Sequence, residues 1–388
     1  SSHDEHEIPP KSLPDYLSVI NLGDAATISI TSSTLDGKYY VGGNFAGNII
    51  LGENNVSATG EKDGFLVLME ANGTLLNYLH FISAGSLNIG AALSVPNGDV
   101  FVMGHFSTQL RIGDFQVKGV GGDDLFIAHW GGDGIVKNLS VLGGPSNETF
   151  ESATYFQDSL YMAGLFEGTF SHDGHSVSSN GGKDGFVLQS SINDISSVLW
   201  IQSFGGIGDE KVSKLITLQD GRLVLSGTFQ NNGIFGSVTH ESSGMSDCFA
   251  AHLSGNGVWG NVFPFGGPGE DEITGLVSLS DNKMIMTGNF MGSLRFGNRK
   301  ILSNGRRDGF IALFNEYGSC TYLDNIGGSG SDSIESISNI DDQVHFVGSF
   351  SNELAIAGKI FSSRGGRDSY IALFDEDGKV ILDAFQAG

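Results

Sequence analysis

Six aspartates stand at nearly constant spacing, Asp63, Asp124, Asp184, Asp247, Asp308 and Asp368, with steps of 61, 60, 63, 61 and 60 residues. Each occupies the frame Gly-x-x-Asp-x-aromatic, from "GEKDGF" through "GGKDGF" to "GGRDSY". A carboxylate so placed can move a proton, ligate a hard cation or accept backbone N–H groups in a turn. Catalysis marks one place in a molecule, whereas this Asp marks every repeat. The pattern therefore predicts six structural turn carboxylates, with Gly60, Gly121, Gly181, Gly244, Gly305 and Gly365 supplying positive φ to the same turns.

Other residues offer rival chemistry. The links "GGIGDE", "GGPGED" and "GGSGSD" set Glu210, Asp271 and Asp332 behind glycines, where they are candidate calcium ligands. None has the spacing of a known calcium loop. Structural Ca²⁺ is left open on these residues, and no other metal or cofactor is expected. The ten histidines are scattered: His105, His129, His252 and His345 converge on no ligand set, while His3 in "SSH" has the form of an amino-terminal copper site. The glycine pairs precede strands, so no helix end is present to hold a phosphate. Glu151, Lys214 and Glu335 are the charges within the predicted inner strands. They complete no Ser-His-Asp order and no paired-carboxylate frame within one repeat, so no catalytic residue is assigned.

The elements that must hold these residues follow from the repeat. A second marker, Gly-x-Phe, begins at Gly43, Gly104, Gly164, Gly227, Gly288 and Gly348 and keeps step with the first. Two markers moving together identify a repeat of about 61 residues. Each unit contains four stretches rich in β-branched and aromatic residues, termed A, B, C and D, bounded by turn formers. Pairs such as Asn72-Gly73, Asp133-Gly134 and Asn256-Gly257 mark tight hairpins between C and D. Helical periodicity is missing. The expected fold is all-β, a six-bladed β-propeller of four-stranded antiparallel blades, with seven blades or an incomplete ring as alternatives. Residues 1–14 read as a tail and 15–388 as one domain. An extra D-type strand, "YLSVINLG", stands ahead of the first unit while "VILDAFQAG" ends the last, so a terminal strand is expected to close the ring, and a spare one could dock on another copy.

Twenty Lys and Arg against 44 Asp and Glu give a formal charge of −24, which repels nucleic acid and anionic membranes. No apolar run approaches the ~20 residues of a membrane helix. Cys248 and Cys320 form no disulfide framework, and one bridge between them is left open. Sequons at Asn55, Asn72, Asn138 and Asn147 permit glycosylation in a secretory setting.

The consensus Gly-x-Phe, "FG", Gly-x-x-Asp-x-Phe, "LW", "FGG-x-G-x-Asp", clearest in "NGGKDGFVLQSSINDISSVLWIQSFGGIGDE", resembles the bacterial β-propeller repeats of the SBBP type over about residues 16–388. The resemblance implies a secreted or cell-surface repeat protein, although six A-B-C sets stand here instead of seven. The expected function is that of a non-enzymatic extracellular scaffold or adhesion module binding a protein or glycan through its loop face. The alternatives are a secreted hydrolase or lyase with a site in the central channel and a filament subunit assembled by strand donation.

Overall fold

In a computed structural model, residues 26–33, 37–340, 343–356, 359–374 and 381–387 are described. The amino-terminal tail with His3, the strand "YLSVINLG" and the Asp377-Gly378 turn lie outside them. The described chain is all-β, with a single 3₁₀ turn at Ser280–Asn282 and no α-helix among the described residues.

Six antiparallel four-stranded units follow one another. Their A strands are Ala26–Ser33, Leu87–Ser94, Glu148–Phe156, Lys211–Thr217, Asp271–Ser278 and Ser333–Ile340. B, C and D follow in order, as in Leu223–Phe229, Asp247–Leu253 and Trp259–Phe265 of the fourth unit. In the sixth unit the carboxy-terminal strand Ile381–Ala387 takes the D position, pairing with the C strand Lys359–Phe374. The turn signals act as anticipated: Gly37, Gly98 and Gly221 between A and B, and Gly73, Gly134 and Gly257 between C and D, all have positive φ.

The two sequence markers are cross-strand partners. Gly43 faces Phe65, Gly104 faces Phe126, Gly164 faces Phe186, Gly227 faces Phe249, Gly288 faces Phe310 and Gly348 faces Tyr370. A Cβ on Gly288 would stand 2.4 Å from the Phe310 ring and 2.0 Å from the Glu272 carbonyl on the A strand. The glycine is thus enclosed between ring and carbonyl. Opposite each such glycine the A strand slips register, leaving Ser29, Gly90, Glu151, Ser213, Thr274 and Glu335 as bulged residues. Bulges bend a strand and re-aim its side chains.

Two devices latch adjacent units. The B–C hairpin of one reaches back to the D strand of the unit before it, as where Phe204 pairs with Phe235 and Gly266 bridges Arg295. Phe204 and Phe235 stack at 5.4 Å between ring centres, and Phe249 packs on both. At three junctions the middle residue of Gly-x-Phe forms a second latch. Asn44 bonds Leu87 O and Ile89 N, His105 Nδ1 accepts Phe150 N, and Asn289 bonds Ile334 N and O, each on the next A strand. His105 is thus a sheet-to-sheet acceptor. Cys248 and Cys320 are free thiols, the first fully buried.

Replacing the enclosed glycine should cost the fold dearly. Gly288→Ala is expected to lower stability in urea unfolding by about 1–3 kcal/mol, the cost of overpacking. Gly366→Ala, where an added Cβ meets nothing within 4 Å, is expected to stay within about 0.5 kcal/mol of the parent.

Candidate functional site

All six marker aspartates are buried and perform one local task. The Oδ2 atoms of Asp63, Asp124, Asp184, Asp247, Asp308 and Asp368 accept the backbone N–H four residues earlier, from Thr59, Val120, Asn180, Ser243, Asn304 and Arg364, at 2.7–3.1 Å. The accompanying glycines correct one expectation: none of them is among the positive-φ residues. Gly60, Gly121, Gly181, Gly244 and Gly305 are small because another loop lies against them, whereas a Cβ on Gly365 would meet nothing within 4 Å. A Cβ on Gly121 would stand 2.4 Å from Gly144 O, on Gly244 2.4 Å from Gly267 O, and on Gly305 2.1 Å from Gly330 O.

That neighbouring loop is the D–A link, and it carries the second acid. Backbone bonds hold the two segments together: Glu210 N donates to Lys183 O and Asp332 N to Arg307 O. The result is four buried carboxyl pairs, Asp124 with Glu148, Asp184 with Glu210, Asp247 with Asp271 and Asp308 with Asp332, one at each successive junction from the second unit to the sixth. Glu210, Asp271 and Asp332 were legible as candidates; Glu148 was missed, although it stands in "GGPSNE" at the matching place. A glycine underlies each pair. A Cβ on Gly205 would lie 2.9 Å from Asp184 Oδ1 and 2.7 Å from Glu210 Oε2, so both acids press on this glycine and leave no room for a side chain. Gly143, Gly266 and Gly327 press likewise against Asp124, Asp247 and Asp308.

The outer oxygens are well held. Gly144 N donates to Glu148 at 3.0 Å, Gly267 N to Asp271 at 2.7 Å and Gly328 N to Asp332 at 2.6 Å. The inner ones are not: Asp124 Oδ1, Glu148 Oε1, Asp184 Oδ1, Asp247 Oδ1, Asp271 Oδ1 and Asp308 Oδ1 are buried without a hydrogen bond. The Gly206 main chain lies toward Glu210, yet neither of its carboxylate oxygens has a bond of ordinary geometry. Burial first, together with the facing aspartate, pushes Glu148 up to about 7, Glu210 to about 8 and Asp271 to about 7.

The first junction is a natural contrast. Ile82 and Leu87 stand where the glycine and second acid would be. Asp63 there is fully bonded: His80 Nε2 at 2.8 Å on Oδ2 and Ser83 N at 3.3 Å on Oδ1.

Charge also gathers on the inner strands. Glu151 and Glu335 are bulged, and Lys214 follows the bulged Ser213. Leu215 N donates to Ser152 Oγ at 3.0 Å and Thr154 Oγ1 meets Thr217 Oγ1 at 3.0 Å, which sets the third and fourth A strands side by side next to Glu151 and Lys214. Both side chains are open to water by area, yet surrounding protein raises the Glu151 carboxyl, opposed by Lys183, and lowers the Lys214 ammonium. Glu335 Oε1 accepts Ser333 Oγ at 2.5 Å and Ser349 Oγ at 3.3 Å. A separate cleft of about 310 Å³ reaches Asp271 and is bordered by Asp209, Lys211, Glu270 and the Glu272–Arg307 ion pair.

No protein family matches this chain, and no curated protein matches it. Among solved structures it is similar to a luciferin-regenerating enzyme, at 8% identity and a TM-score of 0.40, covering 95% of this chain and 93% of that one. It is also similar to the phage phi92 endosialidase, at 10% identity and a TM-score of 0.40 over 95% of this chain and 70% of that one. A Trypanosoma rangeli sialidase in complex with 2,3-difluorosialic acid follows at 11% identity and a TM-score of 0.36, over 82% of this chain and 56% of that one. These are propeller-type folds, and the likeness is one of architecture, carrying over no residue and no substrate. The expectation of a non-enzymatic scaffold is corrected, since the proteins found are named as enzymes.

The acid pairs make stability fall with rising pH. The folded values of about 8 for Glu210 and about 7 for Glu148 exceed the ordinary 4.5, so the folded chain retains protons that the unfolded chain has released. Stability present below the ordinary value is lost as pH rises through the folded one. His252, held by burial at about 4, and His105, also lowered by burial, oppose this fall only in the lower part of the window, where their unfolded imidazoles finish losing protons. In metal-free buffer the Tm is therefore expected to fall between about pH 6.5 and 8.5, with a shallower slope in Glu210→Gln. A Tm rising across that window would contradict the assignment.

Proposed function

We propose that the six units close into a six-bladed ring and that the protein is a hydrolase whose chemistry takes place in the space enclosed by the A strands. The reading is carried by one observation: Glu151 and Lys214, on adjacent A strands, are reached by water while the surrounding protein disfavours the charge on both. Groups with displaced titration in a cleft are what acid–base catalysis requires. The bulge that turns Glu151 out of the regular ladder is also a common neighbour of active sites.

In this reading Glu151, whose carboxyl is raised by the surrounding protein, delivers a proton to the leaving group. Lys214 stabilises negative charge developing on the substrate. Glu335, at the matching bulge of the sixth unit and oriented by two serine hydroxyls, supplies a second carboxyl across a closed ring. The acidic loop face stands outside this chemistry.

Assays on chromogenic glycosides and esters test the reading. The parent should turn over one of these classes, and Glu151→Gln should lower kcat by roughly 10²–10⁴-fold with its Tm retained. Parent-like turnover in that variant, or no turnover by the parent on either class, would remove the proposal.

A further inference from the structure

The four acid pairs at the junctions are explained neither by the turn that each Asp closes nor by chemistry on the inner strands. Burying two facing carboxylates without a counter-charge is costly, and a fold that repeats the arrangement four times must offset it. The outer oxygens accept backbone N–H groups, an arrangement that favours the ionised form of both acids. In the first three pairs both acids keep an oxygen without a donor, and in the fourth Asp308 Oδ1 does, while Asp332 Oδ1 accepts Ser351 N at 3.1 Å. Between the third and fourth units three oxygens are unsatisfied, Asp184 Oδ1 and both of Glu210, more than one shared proton can join.

The first junction shows what happens when the second acid is missing. There an imidazole and a backbone N–H take the places on Asp63, and the underlying glycine is gone as well. Second acid, glycine and unsatisfied oxygens occur together or not at all.

We propose that each of the four acid pairs binds one Ca²⁺ ion that staples neighbouring units together. The donors are all oxygen, which suits a hard cation. No group of three or more His, Cys, Asp or Glu side chains gathers at one point among the described residues. The remaining ligands are therefore main-chain carbonyls of the two loops and water, both ordinary for Ca²⁺. At the junction of the fourth and fifth units the cleft that reaches Asp271 provides an entry path. The staple is independent of the hydrolase reading, because Glu151, Lys214 and Glu335 take no part in it.

Native mass spectrometry and thermal unfolding of the full chain, with EDTA, CaCl₂ or MgCl₂, test the staple. The expected result is four Ca²⁺ per chain and a Tm rise of roughly 5 °C or more over EDTA, with a smaller rise in Mg²⁺. Glu210→Gln should bind three ions and lose part of the shift, while melting in EDTA no lower than the parent, since an amide needs no proton to lie beside Asp184. Asp271→Asn should behave alike, and His80→Gln at the first junction should still bind four. A Tm indifferent to Ca²⁺, or a stoichiometry that Glu210→Gln and Asp271→Asn both leave unchanged, would overturn the proposal in favour of pairs that merely share a proton.

Discussion

Everything in this protein depends on an aromatic ring lying over a glycine. The C-strand Phe or Tyr of each unit covers the Gly of Gly-x-Phe on the B strand, and from the other side an A-strand carbonyl presses on the same glycine. There is no room for a Cβ. That close approach accompanies a bulge in all six A strands, and the bulges decide which inner side chains leave the ladder. The residue after the glycine is then free to reach the next unit, as Asn44, His105 and Asn289 do. One steric constraint within a sheet thus sets both the inner wall and the bonds between sheets.

A second layer of organisation lies at the loop face. The turn before each C strand and the D–A link of the following unit lie against one another, glycine against carbonyl, and the same i to i−4 capping bond orients an acid in each loop. Two local devices, each unremarkable alone, become an electrostatic problem when the packing brings them together. The hairpin latch tightens the same seam through rings such as Phe204 and Phe235. Junctions are accordingly where apolar burial and buried charge meet, and the cohesion of the array depends on both. Repeat arrays derive their stability from nearest-neighbour interfaces, so a change at one junction should act locally.

The departures from strict repetition carry the functional information. Glu151 and Glu335 occupy bulges where the other units have Ser, Gly or Thr, and Lys214 lies beside one such bulge. The first junction replaces an acid pair by His80. A binding or catalytic surface on a repeat scaffold must come from such local differences, since what all units share is committed to holding them together.

The amino-acid order by itself determined the period, the four strands per unit, the hairpin turns at Gly73, Gly134 and Gly257, and the Asp-closed turn before each C strand. All of these rest on contacts a few residues apart, so alternation and turn chemistry reveal them. Glu210, Asp271 and Asp332 could be singled out by type, and Glu151 and Glu335 as rare charges on apolar strands. Only the tertiary structure decided that each D–A acid faces a marker aspartate, that Gly60, Gly121, Gly181, Gly244 and Gly305 are small for close approach and not for positive φ, and that Glu151 stands in a bulge beside Lys214. Those facts depend on how one sheet is placed against the next. Such placement is set by the packing of whole faces, which no local pattern encodes.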